Sequence, residues 1–396
     1  MPSLNGNREL GNQRDVIQRP IRHYDNCTEK KNFVFIKGMK CATSTLLGVF
    51  YRFGYTRNLS FVSPLGRSLW LNWPYPMTSR DFRPSRRGYN ILTDHSIYTE
   101  DVMAAIMPKD TVYISIIREP FAQLQSLFQY FQIAVKAGVP KDVANPVVAY
   151  FSDLKKYESV YQNPDINERR CVPAGFSLTR NLMSHCLGMP LGFPPGTKNI
   201  TNDTEAIEQY IQHLDSKFSL IMITEYFYES LVLLRRLMCW SFKDIVFMNY
   251  NVGNYSFKTA PVHGPTLNLH RQWSNADYML YKYFNSTFWR QVSNQGSDFY
   301  SEVETFKHVE SQVQNFCEKL YKYGKAHNYT VSVSNIVLEQ TKWNKQFSIS
   351  SEDCFMLGPN PYELLHTVQK ENDIKEAHLL AEQKKIPDNR TMKARC

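Results

Sequence analysis

Phe33-Val-Phe-Ile-Lys-Gly-Met-Lys-Cys-Ala-Thr-Ser-Thr-Leu-Leu47 is the stretch that decides the fold. Its first four residues are an unbroken apolar run, the pattern of a strand buried on both faces of a parallel sheet. From Thr43 the apolar positions become Leu46, Leu47, Phe50 and Phe53, which is helical spacing. The loop between them carries Lys37, Gly38, Met39, Lys40, Cys41, Ala42, Thr43, Ser44 and Thr45. A helix N-terminus presents unpaired N–H groups and the positive end of a dipole, so such a loop holds phosphate. Ser44 and Thr45 add hydroxyl donors, and Lys40 adds a mobile charge. A GxxxxGK[ST] loop would place lysine next to the helix. Here position 44 is serine and the lysine sits inside the loop, so the usual magnesium arrangement does not apply and no metal is expected.

Working outward, strand and helix alternate through the first 250 residues. Tyr89–His95 and Thr111–Ile117 read as strands, with a short helix at Asp101–Met107 between them. Pro120 suits a first helical position, and Phe121–Val135 continues that helix. Glu205–Ser216 reads as a helix, Phe218–Glu225 as a strand, Tyr228–Trp240 as a helix and Asp244–Asn249 as a last strand. Ala276–Val292 and Glu302–Tyr323 are helical. The expectation is an α/β fold: one P-loop-like domain with a central, mostly parallel sheet flanked by helices and a helical C-terminal part. Residues 1–31 read as a flexible leader, 32–330 as the domain, and 331–396 as a C-terminal extension packed in part, with a polar tail.

The chain has 396 residues, 43% of them hydrophobic, and a formal net charge of +9. That balance favours anionic partners. Nucleic acid is not expected, because Lys and Arg are dispersed. Arg80, Arg83, Arg86 and Arg87 form the densest group and read as a solvated loop. The longest apolar stretch, Phe218–Trp240, is interrupted by Glu225, Glu229, Arg235 and Arg236, so no membrane span is expected in this chain. Eight cysteines show no zinc spacing. Asn26, Asn58, Asn199, Asn202, Asn254, Asn285, Asn328 and Asn389 each open an N-x-[ST] sequon. Together they point to the secretory lumen, where cysteines pair. Cys171 with Cys186 is one possibility that sequence leaves open.

A second phosphate contact completes the pattern. Arg118 ends the third strand, where ligands of parallel sheets bind, and Ser126 lies near two turns into the next helix. Arginine grips phosphate in bidentate fashion and serine adds a hydrogen bond. Lys40 with Ser44 and Thr45, then Arg118 and Ser126, resembles the paired 5′-phosphosulfate and 3′-phosphate motifs of enzymes that use 3′-phosphoadenosine 5′-phosphosulfate (PAPS). The chain is more closely similar to the galactose-3-O-sulfotransferase family of Golgi enzymes, which includes galactosylceramide sulfotransferase. Phe35–Leu47 resembles that family's donor loop, and Ile223–Arg236 resembles a family segment almost throughout. Trp273, Asp277, Leu280-Tyr281 and Phe284–Trp289 resemble its C-terminal signature. The likeness covers roughly residues 32–295. One departure is Met39, where the family usually has histidine before the loop lysine.

The resemblance implies sulfuryl transfer from PAPS to a galactose hydroxyl of a glycolipid or glycan, at the 3-position, in the Golgi lumen, with an N-terminal anchor in the membrane. It implies donor binding by Lys37, Lys40, Cys41, Ala42, Thr43, Ser44, Thr45, Arg118 and Ser126. Such a transfer is in-line and spreads charge over equatorial oxygens. Lys40 is therefore expected at the leaving oxygen, and His95 at a strand end is expected as the base. Arg180 and Asn181 resemble a family segment near the acceptor. Glu225 is either an acceptor contact or a structural ion-pair partner. Trp70 and Trp73 either stack on a sugar or fill the core. Two alternatives stay open: transfer to another glycan such as a glycosaminoglycan, or a nucleotide- or glycan-binding homologue with impaired catalysis.

Overall fold

The computed structural model describes residues 27–65, 68–163, 173, 175–249, 253, 255–258, 262, 264–327, 335–358 and 361–384. β1 (Phe33–Lys37) leads into α1 (Thr43–Thr56), β2 (Ile91–Leu92) into α2 (Glu100–Ile106), and β3 (Val112–Ile117) into α3 (Pro120–Phe131). Then come α4 (Ile133–Lys136), α5 (Pro146–Ser152), α6 (Leu154–Gln162), α7 (Leu182–Cys186) and α8 (Thr204–Lys217). β4 (Leu220–Ile223) passes through a tight turn into α9 (Phe227–Met238), followed by α10 (Phe242–Ile245), α11 (Gly264–Trp273), α12 (Asn275–Ser293) and α13 (Phe299–His327). An antiparallel pair, β5 (Asn335–Leu338) and β6 (Phe347–Ser350), precedes α14 (Ser351–Met356), α15 (Pro361–Lys375) and α16 (Ala377–Lys384).

The expected α/β class holds. β2, β1, β3 and β4 form one parallel sheet in that order, with Phe33 opposite Val112 and Ile114 opposite Leu220. All five residues of β1 are buried. Phe33, Phe50 and Phe53 of β1 and α1 pack round Trp240, whose ring stacks on Phe53 at 3.9 Å. The apolar spacing read at Leu46, Leu47, Phe50 and Phe53 is thus the buried face of α1.

Some expected elements differ. Of Tyr89–His95, only Ile91 and Leu92 join the sheet, and His95 makes a single bridge to Trp70. Asp244–Asn249 is no strand: Ser241 and Asp244 form a reciprocal cap that starts α10, and Arg52 takes up the Asp244 and Val246 carbonyls at 2.9 Å. The helix from Pro120 stops at Phe131, because Gln132 has φ 53°. The leader is tied down at its end, since Lys30 N–H donates to Met238 O and a disulfide joins Cys27 to Cys239. A second disulfide joins Cys317 to Cys354, while Cys186 carries a buried free thiol. Cys171 lies outside the described residues. The arginine group is not simply solvated: Arg83 is buried and bonded to Asp373 on α15.

Glu310 on α13 braces the segment after α10. Its carboxylate accepts from Phe247 N–H at 3.2 Å and from Gln314 Nε2 at 3.0 Å. Burial pushes this carboxyl up from 4.5 to about 8. Between those values the folded chain holds more protons than the unfolded one, so this group's contribution to stability declines as pH rises through the window. Glu310→Gln is expected to raise Tm by about 3 °C or more near pH 8 and to flatten the slope below it. Thermal melts across that range check this, and a variant that melts lower near pH 8 contradicts it.

Candidate functional site

The parallel sheet gathers the site at its carboxyl edge, the edge where such sheets take ligands. Lys37 ends β1, His95 follows β2, Arg118 follows β3 and Glu225 follows β4. The loop between β1 and α1 is tight. A Cβ on Gly38 would lie 2.4 Å from the Ile116 carbonyl, so only glycine fits there. Lys40 and Ala42 take positive φ of 61° and 56°. This left-handed backbone turns successive N–H groups toward one side, a shape that cradles anions. α1 has no side-chain cap and no acidic residue in its first turn. Among the described residues nothing accepts from the Thr43, Ser44 or Thr45 N–H groups. Cys41 turns inward, its thiol buried and donating to the Met39 carbonyl at 3.4 Å. The Met39 side chain is buried, 4% exposed.

α3 closes the other side of the loop. Pro120 occupies its first turn and the Glu119 carboxylate accepts from Ala122 N–H at 2.7 Å, which fixes where the helix begins. Gln123 then donates to the Met39 carbonyl at 2.9 Å. The Arg118 guanidinium donates to the Lys40 carbonyl at 3.1 Å, so the two basic residues meet. Ser126 and Tyr130 are one turn apart on this helix, and the Lys40 ammonium rests 3.8 Å from the Tyr130 ring centre. Burial, then Arg118, lowers the Lys40 pKa. Lys40, Arg118 and the Ser126 face of α3 are thus adjacent, beside uncapped α1.

Glu225 belongs to this same corner. It accepts from Glu119 N–H at 3.1 Å and from the Tyr281 hydroxyl at 3.3 Å, and it lies 4.0 Å from Arg118. Its contacts are those of an ion-pair brace beside Arg118.

Lys37, Asp94 and His95 form a second group. Lys37 is 2% exposed, and burial lowers its pKa to about 8. Asp94, hydrogen-bonded by the Tyr51 hydroxyl, is pushed up to about 6 by the same burial. The His95 ring stacks on Trp70 at 4.2 Å between centres, and its Nδ1 has no partner among the described residues. Burial, with Lys37 nearby, holds its pKa well below 6.5, so the imidazole is neutral.

Arg180 and Asn181 precede α7, whose Met183 Sδ accepts from Arg118 N–H at 3.3 Å. Arg180 sits over Trp273 at 4.7 Å, with Nε unpartnered among the described residues. Asn181 is buried before α7, and its Oδ1 accepts from Asp277 N–H at 3.3 Å. Asp277 in turn accepts from the N–H groups of Met183 and Ser184. Among the described residues no hydrogen bond or ion pair joins Arg180 or Asn181 to Lys40, His95 or Arg118. Tyr130, Gln123 and Asp94 escaped the sequence reading. Tyr130 was legible as one helical turn past Ser126. The Tyr51–Asp94 pairing spans 43 positions and leaves no local signal.

The sequence profile of the galactose-3-O-sulfotransferase family matches residues 8–320. Human galactosylceramide sulfotransferase is 29% identical over 299 residues, covering 74% of this chain and 65% of that protein. Mouse galactose-3-O-sulfotransferase 2 is 28% identical over 294 residues, covering 72% and 69%. Human galactose-3-O-sulfotransferase 3 is 29% identical over 279 residues, covering 70% and 61%. The chain thus spans just under two thirds of the galactosylceramide sulfotransferase it matches.

Proposed function

The chain belongs to the galactose-3-O-sulfotransferase family, and from that premise we propose that it transfers a sulfuryl group from PAPS to a galactose hydroxyl, the 3-OH, of a glycolipid or glycan. The observation that carries the reading is the corner where Lys40, Arg118 and the Ser126 face of α3 meet an uncapped helix N-terminus. Two cations and free N–H donors suit a donor with two phosphate-bearing ends. In this reading the first turn of α1, with Ser44 and Thr45, holds the 5′-phosphosulfate. Arg118 and Ser126 hold the 3′-phosphate. Lys40 leaves the Tyr130 face to meet charge that develops on the leaving oxygen. His95 takes the proton from the attacking hydroxyl, with Lys37 charged beside it, and Trp70 offers an aromatic face to the sugar, backed by Trp73, which is 2% exposed and fills the core. The two disulfides and the exposed sequon residues Asn58, Asn199 and Asn202 support a lumenal setting, the Golgi by family.

Incubation with labelled PAPS and an acceptor panel tests this. Label is expected in terminal β-galactosides, and label confined to uronic-acid polymers would overturn the acceptor assignment. Binding of 3′-phosphoadenosine 5′-phosphate (PAP) without turnover on any acceptor would favour an impaired homologue.

Arg118 separates the two donor roles. Arg118→Ala is expected to weaken PAP binding about 10- to 50-fold, the worth of charge-assisted phosphate bonds, with kcat within about fivefold. Calorimetric titration with PAP and saturation kinetics check this, and a collapse of kcat with unchanged binding contradicts it.

A further inference from the structure

We propose that α15 and α16 form a clasp that sets the acceptor side of the site, with Gln369 and Asp373 as positioning residues. The proposal rests on the functional reading above and adds to it a segment beyond the family match, which ends at residue 320.

The segment from Ser60 to Tyr89 carries this aromatic face, yet among its described residues there is almost no regular structure. It has isolated bridges at Phe61, Pro64 with Phe82, and Trp70 with His95. Such a segment takes its position from side contacts. The C-terminal helices supply them. Gln369, 3% exposed, donates from Nε2 to the Ser68 carbonyl at 3.3 Å. Asp373 accepts from Nε of Arg83 at 2.5 Å, and that arginine is itself 3% exposed. Glu376 accepts from Arg86 N–H at 3.1 Å. Gln383 on α16 donates to the Phe82 carbonyl at 2.9 Å. Positions 369 and 373 are one turn apart, so one face of α15 meets this segment, and Glu376, between α15 and α16, extends the contact.

The chain of contact then continues to His95. The Ser68 hydroxyl accepts from Trp70 N–H at 3.1 Å. Leu71 N–H donates to the His95 carbonyl at 2.7 Å, and His95 N–H donates to the Leu69 carbonyl at 3.1 Å. The Trp70 ring covers the imidazole. From Gln369 the path to the imidazole is therefore three contacts long, through Ser68 and Trp70. α15 also packs along α1, but among the described residues no hydrogen bond or ion pair joins α15 or α16 to Lys40, Arg118 or Ser126. Loss of the polar bonds to residues 60–89, with the packing on α1 kept, would disturb the hydroxyl's side of the reaction more than the donor's.

Gln369→Leu keeps the shape and removes the donor. It is expected to raise KM for a β-galactoside about fivefold, the effect of one lost buried hydrogen bond, with kcat and PAP affinity within about twofold. Asp373→Asn is expected to act in the same direction. Unchanged acceptor KM in both variants overturns the proposal, and so does a parallel loss of acceptor binding, PAP binding and Tm, which marks a merely structural role. A second measurement is independent of turnover. Acrylamide is expected to quench tryptophan fluorescence more strongly in Gln369→Leu, and Trp70→Phe is expected to remove the increment; equal quenching of variant and parent overturns the clasp. If no galactoside is sulfated, the functional reading fails, while the quenching comparison still decides the clasp.

Discussion

Replacing Lys40 by alanine is expected to lower kcat about a thousandfold while PAP binds within about fivefold of the parent. The loop explains the asymmetry. In the proposed reading, ground-state grip on the donor is shared among the N–H groups of an uncapped helix, the Ser44 and Thr45 hydroxyls, and Arg118. Lys40 is held elsewhere, over the Tyr130 ring, with a pKa already lowered by burial and by Arg118. A cation parked on an aromatic face beside another cation gains most when negative charge appears within its reach, which happens as the bond to sulfur lengthens. Lys40→Arg is expected to recover little, since a planar fork does not reproduce a mobile point charge. Single-turnover rates and PAP titration together check this. A variant that loses donor binding and rate in equal measure would sink the division of labour.

His95→Ala is expected to cost about 10²–10⁴ in kcat, with PAP affinity unchanged. The pH profile tests the role more sharply than the magnitude. A base works neutral, so activity falls when pH drops through its pKa. Burial and Lys37 hold that pKa well below 6.5, so the acid limb of the parent is expected to be displaced below the usual histidine range. Lys37 works charged, and burial brings it to about 8, so an alkaline limb is expected near there. His95→Ala should erase the acid limb and keep the alkaline one. An acid limb that survives the substitution would assign the base elsewhere.

The fold was legible where one segment carries its own signal. Phe33–Ile36 and Thr111–Ile117 are apolar and β-branched because both sheet faces are covered, and Pro120 marks a helix start through its own covalent geometry. What was misread depends on distant partners. Asp244–Asn249 has strand-like residues, but a local cap and Arg52, far back on α1, hold it otherwise. Arg83 looks like a surface residue until Asp373 is brought to it across 290 positions. The candidate site divides the same way. Lys40, Arg118 and Ser126 follow from strand ends and helical spacing. The stacking of Trp70 on His95 and the brace of Glu225 on Glu119 are tertiary facts with no local period.

The bond between Cys27 and Cys239 spans 212 positions and encloses every residue proposed here for chemistry, from Lys37 to Glu225. The central sheet and the carboxyl edge that bears the proposed site therefore sit inside a covalent ring. A closed ring of that size removes about 5 kcal/mol of freedom from the unfolded chain in the loop-entropy picture. It also sets an order on synthesis, since the ring cannot close until the end of α9 has emerged. Once closed, a single protease cut anywhere on the ring leaves both pieces joined. Reduction would open it, so the persistence of the site is coupled to the oxidising state of its compartment.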